Sequence, residues 1–283
     1  MENRYSVRLK RKGYRVPVFF AIVLTLLITS GCEHFSVDSE NSNPNGEVAS
    51  FSFDKEIGKW SENGTCCTWS ATLSDLVKRS GKKSIRFELR QGDVVDKIPH
   101  AELGLAPSKS KEGWFAFSVY FPAEFERDTI EESIVQWQSL PDFSAGETWR
   151  SPPLLLGVLN DSLVLEIRSD SKKVTSQGKY AFERVNLGPL DKETWLDWVF
   201  HVRWAYDNTG IIEVWKNDKM VLSRINAPNS FNDDMYPYLK IGLYKWGWLE
   251  NLKTKINSRA IYIDDVTVGN EKSGYDKVYP GHL

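Results

Sequence analysis

Apolar and polar positions alternate with a period of two along most of the chain beyond residue 49. Ser84–Arg90 sets Ile85, Phe87 and Leu89 against Arg86, Glu88 and Arg90, and 114–121 places Phe115, Phe117, Val119 and Phe121 on one face. Residues 195–204 do the same with Trp198, Phe200, Val202 and Trp204, and 211–215, Tyr238–Tyr244 and 259–268 add further runs. Alternate side chains of an extended segment share a face, so each run reads as a strand with one face in a core. Turn-forming residues separate them: Arg79-Ser80-Gly81-Lys82, Asn160-Asp161-Ser162, Asp207-Asn208-Thr209-Gly210 and Lys216-Asn217-Asp218. No long window carries a 3.6-residue apolar pattern, and a short helical turn is expected only at 129–133. Many short strands with 13% aromatic residues to fill the space between sheets predict an all-β chain. The expected architecture is a two-sheet β-sandwich of jelly-roll (concanavalin-like) type, a single domain over 49–283 without internal repeats.

The first 31 residues follow another pattern. Arg4, Arg8, Lys10, Arg11, Lys12 and Arg15 precede an apolar stretch over 16–28, then Thr29-Ser30-Gly31-Cys32. A basic region, a short apolar region and small residues form a secretory signal; the stretch is short for a spanning helix, which needs about 20 residues. A cysteine directly after small residues resembles the lipobox of bacterial lipoproteins, which implies lipidation of Cys32. Thr29 stands where that box favours leucine, and a plain N-terminal membrane anchor is the other reading. Residues 32–48, rich in Ser, Asn, Asp and Glu, read as a flexible tether. The expected location is the cell envelope, on the outer or cytoplasmic membrane through an N-terminal lipid, with the domain outside the cytoplasm.

Without residues 1–31 the chain has 30 Lys and Arg against 37 Asp and Glu, a formal charge of −7. That balance speaks against a nucleic-acid partner, whose binding rests on neutralising phosphates, and against a very densely sulfated polymer. Cys66 and Cys67 are adjacent, with no CxxC pair or His-rich tract to make a zinc site. They admit a vicinal disulfide or two buried thiols.

Three segments carry candidate chemistry. Tyr238, Lys240, Gly242 and Tyr244 share the face opposite Leu239, Ile241 and Leu243, so two phenols and an ammonium flank a glycine that leaves room for a ligand. Gln136 and Gln138 share a face about 6.6 Å apart, from a rise of about 3.3 Å per residue. His100 and Glu102 share a third. Polar faces of neighbouring strands in a jelly roll line a groove suited to an extended polysaccharide, on which exposed Trp246 and Trp248 would stack sugar rings. His201 lies opposite an aromatic face and reads as structural; His282 lies in the tail.

With these segments the chain resembles the bacterial polysaccharide lyase superfamily that includes heparin lyase I, glucuronan lyase and, more remotely, the jelly-roll alginate lyases. That superfamily has an Arg-x-Glu strand, a Gln-x-His strand and a late Lys-x-Gly-x-Tyr strand. Lys240, Gly242 and Tyr244 match the last in full, Gln136 matches the first position of Gln-x-His, and Glu102 the glutamate of Arg-x-Glu. Supporting similarity runs through 79–82 to 92–93, 151–154 and 195–215. Two positions depart: Gln138 replaces the histidine, and His100 replaces the arginine. An amide does not accept a proton at neutral pH, so Gln138 cannot be the base.

The resemblance implies β-elimination at a uronic acid of an anionic polysaccharide, glucuronan- or alginate-like before heparin-like given the acidic chain. In that scheme Gln136, with Gln138, would stabilise the uronate carboxylate as charge develops on it. Lys240 would hold the anion and depress the pKa of a neighbouring phenol. Tyr244 would be the acid, and either His100 or Tyr244 the base. Gln138, Glu102, Tyr238 and Trp246 would bind substrate. No cofactor is required, and a structural calcium ion is compatible with the chain. The alternatives are a non-catalytic surface carbohydrate-binding protein on the same fold, and a glycoside hydrolase. A hydrolase needs two carboxylates flanking the bond, and the Glu-x-Asp-x-x-Glu pattern of one such sandwich family is absent.

Overall fold

The alternating runs pair into two antiparallel sheets. The structure, a computed structural model, describes residues 48–250 and 252–280. The signal segment, Cys32, His282 and all of the tether except Val48 lie outside them; Val48 begins the first strand.

The first sheet holds β1 (Val48–Phe51), β3 (Ala71–Ser74), β4 (Ser84–Arg90), β6 (Glu112–Tyr120), β11 (Trp195–Arg203), β12 (Ile211–Lys216), β13 (Lys219–Ile225) and β15 (Ser258–Asn270). Its order is β13-β12-β11-β6-β15-β4-β3, and β1 pairs with the second half of β15. The second sheet holds β2 (Glu62–Gly64), β5 (His100–Gly104), β7 (Glu132–Gln138), β8 (Leu154–Leu159), β9 (Ser162–Ser169), β10 (Ala181–Pro189) and β14 (Tyr238–Tyr244), in the order β10-β9-β8-β7-β14-β5-β2.

The inward faces are those the alternation predicts. Trp198, Phe200, Val202 and Trp204 are buried, as are Phe115, Phe117, Val119 and Phe121. Trp137 of the second sheet is fully buried and meets Phe200, Phe115 and Phe117 of the first with ring centroids 4.7, 5.5 and 6.5 Å away. Such pairs contribute about 0.5–1.5 kcal/mol each beyond the apolar area they bury. Trp137 therefore ties the strand carrying Gln136 and Gln138 to the opposite sheet.

Two hairpins follow from their turn residues. Asn160 and Asp161 join β8 to β9, and Asn217 and Asp218 join β12 to β13, all four with positive φ. That is the backbone of a two-residue loop matched to strand twist. The turn at 79–82 is tied down by buried acids of β15. The Arg79 backbone N–H donates to Asp264 (2.9 Å), Ser80 Oγ to Asp265 (2.6 Å), and the Arg79 side chain pairs with Asp197 through two bonds of 3.0 and 2.9 Å.

One expectation changes and one open alternative is decided. Residues 129–133 form no helical turn: a bend at 129–130 leads into β7, where Glu132 and Ser133 pair with Val158 and Gly157. Cys66 and Cys67 are not buried thiols: they are joined as a vicinal disulfide, with Cys66 exposed and Cys67 half-buried.

Gly242 decides how the central strand runs. Its φ is +120°, and β14 carries one extra residue there relative to β7. A Cβ at this position would stand 2.2 Å from the carbonyl oxygen of Ala101 and 3.0 Å from Phe87. Any L-residue is strained in that conformation, and the contact is with backbone that cannot swing away. Gly242→Ala should lower stability by roughly 2 kcal/mol or more, read as a lower urea midpoint; an unchanged midpoint would mean that β14 does not bulge here.

Candidate active site

Four adjacent strands of the second sheet assemble the predicted residues on its outer face. Lys240 on β14 stands opposite Gln136 of β7 on one side and Gly104 of β5 on the other, and Gly104 opposite Glu62 of β2. One step along, Gly242 faces Glu102, which faces Gly64; beyond that, Tyr244 faces His100. Segments far apart in the chain thus converge because β14 lies between β5 and β7.

Glu102 is the hub. Its side chain is 1% exposed, yet its carboxylate has three partners. Oε2 lies 2.9 Å from His100 Nδ1 and 3.2 Å from Lys240 Nζ, and Oε1 accepts a 2.6 Å hydrogen bond from Gln136 Nε2. Burial pushes this carboxyl up, but Lys240 and then His100 outweigh it and hold the group below its ordinary value. An ionised carboxylate only accepts hydrogen bonds, so a neutral His100 must carry its proton on Nδ1 and leave the lone pair on Nε2. Nε2 is buried and has no hydrogen-bond partner. The backbone of Gly64 covers it: a Cβ there would come within 2.8 Å of His100 Cε1 and 3.2 Å of Nε2.

Lys240 differs from expectation. It is bonded to two carboxylates of the protein, Glu102 and Glu62, the latter at 2.8 Å. Both anions hold the ammonium above its ordinary pKa against the opposing effect of burial. Neither phenol beside it is depressed. Burial and then Glu62 push Tyr238 up, and burial and then Glu102 push Tyr244 up, each outweighing the lowering by Lys240. Tyr238 is buried and its hydroxyl donates to Glu62 (3.3 Å), so it braces the ion pair.

Gln138 donates from Nε2 to the carbonyls of Arg150 (3.1 Å) and Ser139 (3.2 Å), bracing the loop that follows β7. Tyr244 is half-buried, its ring edge-on to His100 at 6.2 Å and to Trp246 at 5.5 Å. Trp246 is half-buried beside the site, whereas Trp248, expected on the surface, is packed in the core. Just after Tyr244, the fully buried Lys245 bonds Asp128 (2.9 Å), Glu132 (3.4 Å) and the carbonyl of Ile130 (3.1 Å), fixing the end of β14. His201 lies in the other sheet, stacked on Trp114 and hydrogen-bonded to Glu213 and Glu112, a structural setting. Glu62 was not foreseen. It sits in a three-residue strand with no alternation to mark it, and only pairing with β5 gives it a role.

The arrangement sets a buried, unpartnered ring nitrogen, a protonated phenol and an amide on one face. With this geometry in view, residues 48–267 match the family model described as Polysaccharide lyase, and the chain belongs to that family. Its fold is similar to that of an endo-β-1,4-glucuronan lyase from the fungus Trichoderma reesei, at 18% identity and a TM-score of 0.69 over 82% of this chain and 99% of that one. It is also similar to the alginate lyase A1-II′, a member of polysaccharide lyase family 7, at 12% identity and a TM-score of 0.50 over 70% of this chain and 84% of that one. No curated protein matches the sequence significantly.

Lys240→Met leaves Glu102 buried without its main counter-charge and should destabilise the protein by roughly 3–5 kcal/mol. In the wild type, the Glu102 contribution is present above the ordinary carboxylate value of 4.5 and fades as pH falls through the lowered folded value. The stability difference between wild type and Lys240→Met, measured by urea denaturation, should therefore shrink on acidification. A difference independent of pH would show that Lys240 acts by packing alone.

Proposed function

We propose that this chain cleaves a uronate-containing polysaccharide by β-elimination, with His100 as base and Tyr244 as acid. The observation that carries the reading is the unpartnered Nε2 of His100, kept as an acceptor by the Nδ1–Glu102 hydrogen bond, next to a phenol held in its protonated form. In this scheme Nε2 removes the C5 proton of the uronate at the cleaved bond. The electron pair moves to form the C4–C5 double bond, the C4–O bond breaks, and Tyr244 supplies the proton to the departing oxygen.

The C5 proton is weakly acidic while the neighbouring carboxylate is fully charged. Gln136 uses one N–H on Glu102 and retains a second, which suits it to donate to that carboxylate as charge builds up. Lys240 acts at one remove, keeping Glu102 ionised and so keeping His100 in the tautomer that the base requires. Glucuronan- or alginate-like polymers fit the acidic chain better than heavily sulfated ones.

A second reading has Tyr244 serve as both base and acid. The cover of Gly64 over Nε2 favours it, since the phenol is the more accessible of the two groups. A third outcome is binding without cleavage.

Glucuronan, alginate, heparin and hyaluronan incubated with the protein test all three, because the new double bond absorbs in the far ultraviolet. Tyr244→Phe should lower kcat by about 10²-fold or more. His100→Ala should do the same if Nε2 is the base; full retention of rate would assign both proton transfers to Tyr244. Affinity for an oligouronide without any rise in absorbance would sink the lyase reading in favour of the binding protein.

A further inference from the structure

The cleavage site has no spare positive charge. Lys240 is shared between Glu62 and Glu102, so that cluster is net negative by one when His100 is neutral. An anionic polymer must be held elsewhere on the same face, and the register of the sheet shows where. Gln136 stands opposite Leu155 of β8, Leu155 opposite Glu166 of β9, and Glu166 opposite Arg184 of β10; one step along, Arg168 of β9 faces Phe182 of β10. All lie on the outer face that carries His100 and Tyr244, and Phe182 and Arg184 on β10 stand five inter-strand steps from β5, about 24 Å along the sheet at about 4.8 Å per step.

Phe182 is 52% exposed on the edge strand β10. Two guanidiniums flank its ring, Arg168 at 5.1 Å and Arg184 at 5.4 Å from the centroid. Both are anchored to Glu166, which is buried, and Arg168 also donates to the carbonyl of Pro152 (3.0 Å). Arg184 reaches Glu131 as well and remains 39% exposed.

Two acids, Glu166 and Glu131, lie against this cluster. Glu131 is half-buried with Oε1 out of solvent and unpartnered, and burial followed by the neighbouring Glu166 pushes its pKa up to about 7, against the lowering effect of Arg184 and Arg168. Arg184 therefore presents an accessible guanidinium beside the exposed ring of Phe182, which the buried Lys240 of the cleavage site does not.

We propose that Phe182 and Arg184 form an outer uronate subsite, the ring stacking on a pyranose and the guanidinium binding its carboxylate. It favours oligomers long enough to reach from Tyr244 to β10. The subsite rests on the lyase reading only for the polymer that fills it; stacking and charge suit any oligouronide.

On β8, between Gln136 and this subsite, the floor offers little to grip. Leu155 and Gly157 face the groove on β8, and a Cβ at Gly157 would stand 2.7 Å from the carbonyl of Glu132. Affinity should therefore rise in a step when an oligomer first reaches Phe182, rather than evenly with each added sugar.

Cleavage and calorimetric binding of a length series of oligouronides by wild type, Phe182→Ala and Arg184→Gln test this. Phe182 is exposed, so its truncation should leave the melting temperature unchanged and isolate the contact. For oligomers above the step, both variants should raise KM and Kd about tenfold with kcat little altered, and the step should vanish. Unaltered length dependence in both variants overturns the subsite even if cleavage is seen. A step in binding without any cleavage sustains the subsite and rejects the lyase assignment.

Discussion

The architecture of this site depends on one carboxylate placed where carboxylates are costly. Removing Glu102 from water is unfavourable unless its charge is matched and its lone pairs are occupied. Lys240, Gln136 and His100 meet both conditions, and each arrives on a different β-strand or register position. The polar layer on the outer face is therefore a consequence of sheet order: only with β14 between β5 and β7 do the three partners surround the acid. Once satisfied, it fixes the amide, the imidazole tautomer and the ammonium together, so a change at one propagates to the others.

Further buried ionic nodes bracket the groove. Arg259 bonds Glu132 at 2.8 Å and lies over Phe125, and with Lys245 it holds the end of β14 against the start of β7. At the opposite end of β7 the fully buried Arg150 pairs with Glu147 (3.1 Å) and Asp233 and lies over Phe231. Its backbone carbonyl is what Gln138 grips. The site thus lies on strands pinned at both ends, a suitable base for positioning reacting groups to within fractions of an ångström.

How much of this could be read from the chain depended on the range of the interactions. Ser84–Arg90 and Tyr238–Tyr244 were legible to the residue because alternation is local. The edge of the second sheet was less so. Leu154–Leu159 is a continuous apolar run without alternation, and β10 is largely exposed. The convergence of His100, Gln136, Lys240 and Tyr244 was legible from their sharing of faces and from the family likeness. Their pairings were not. That Lys240 and Glu102 hold each other, with Glu62 on a three-residue strand as a second anion, is not legible from the chain. Trp248 misled for a related reason: nothing local says whether the chain after β14 turns outward or tucks a ring into the core.

The left-handed kink at Gly242 bears on how such a protein can be retargeted. With no side chain admissible there, the separation between ammonium and phenol along β14 cannot be tuned by point substitution in the strand centre. New preferences for sugar or linkage would have to come from the periphery: the loops after β7 and the exposed β10 edge, where residues can change without disturbing the buried charges. Variation among descendants of this scaffold should accordingly be written around the rim and withheld from the middle.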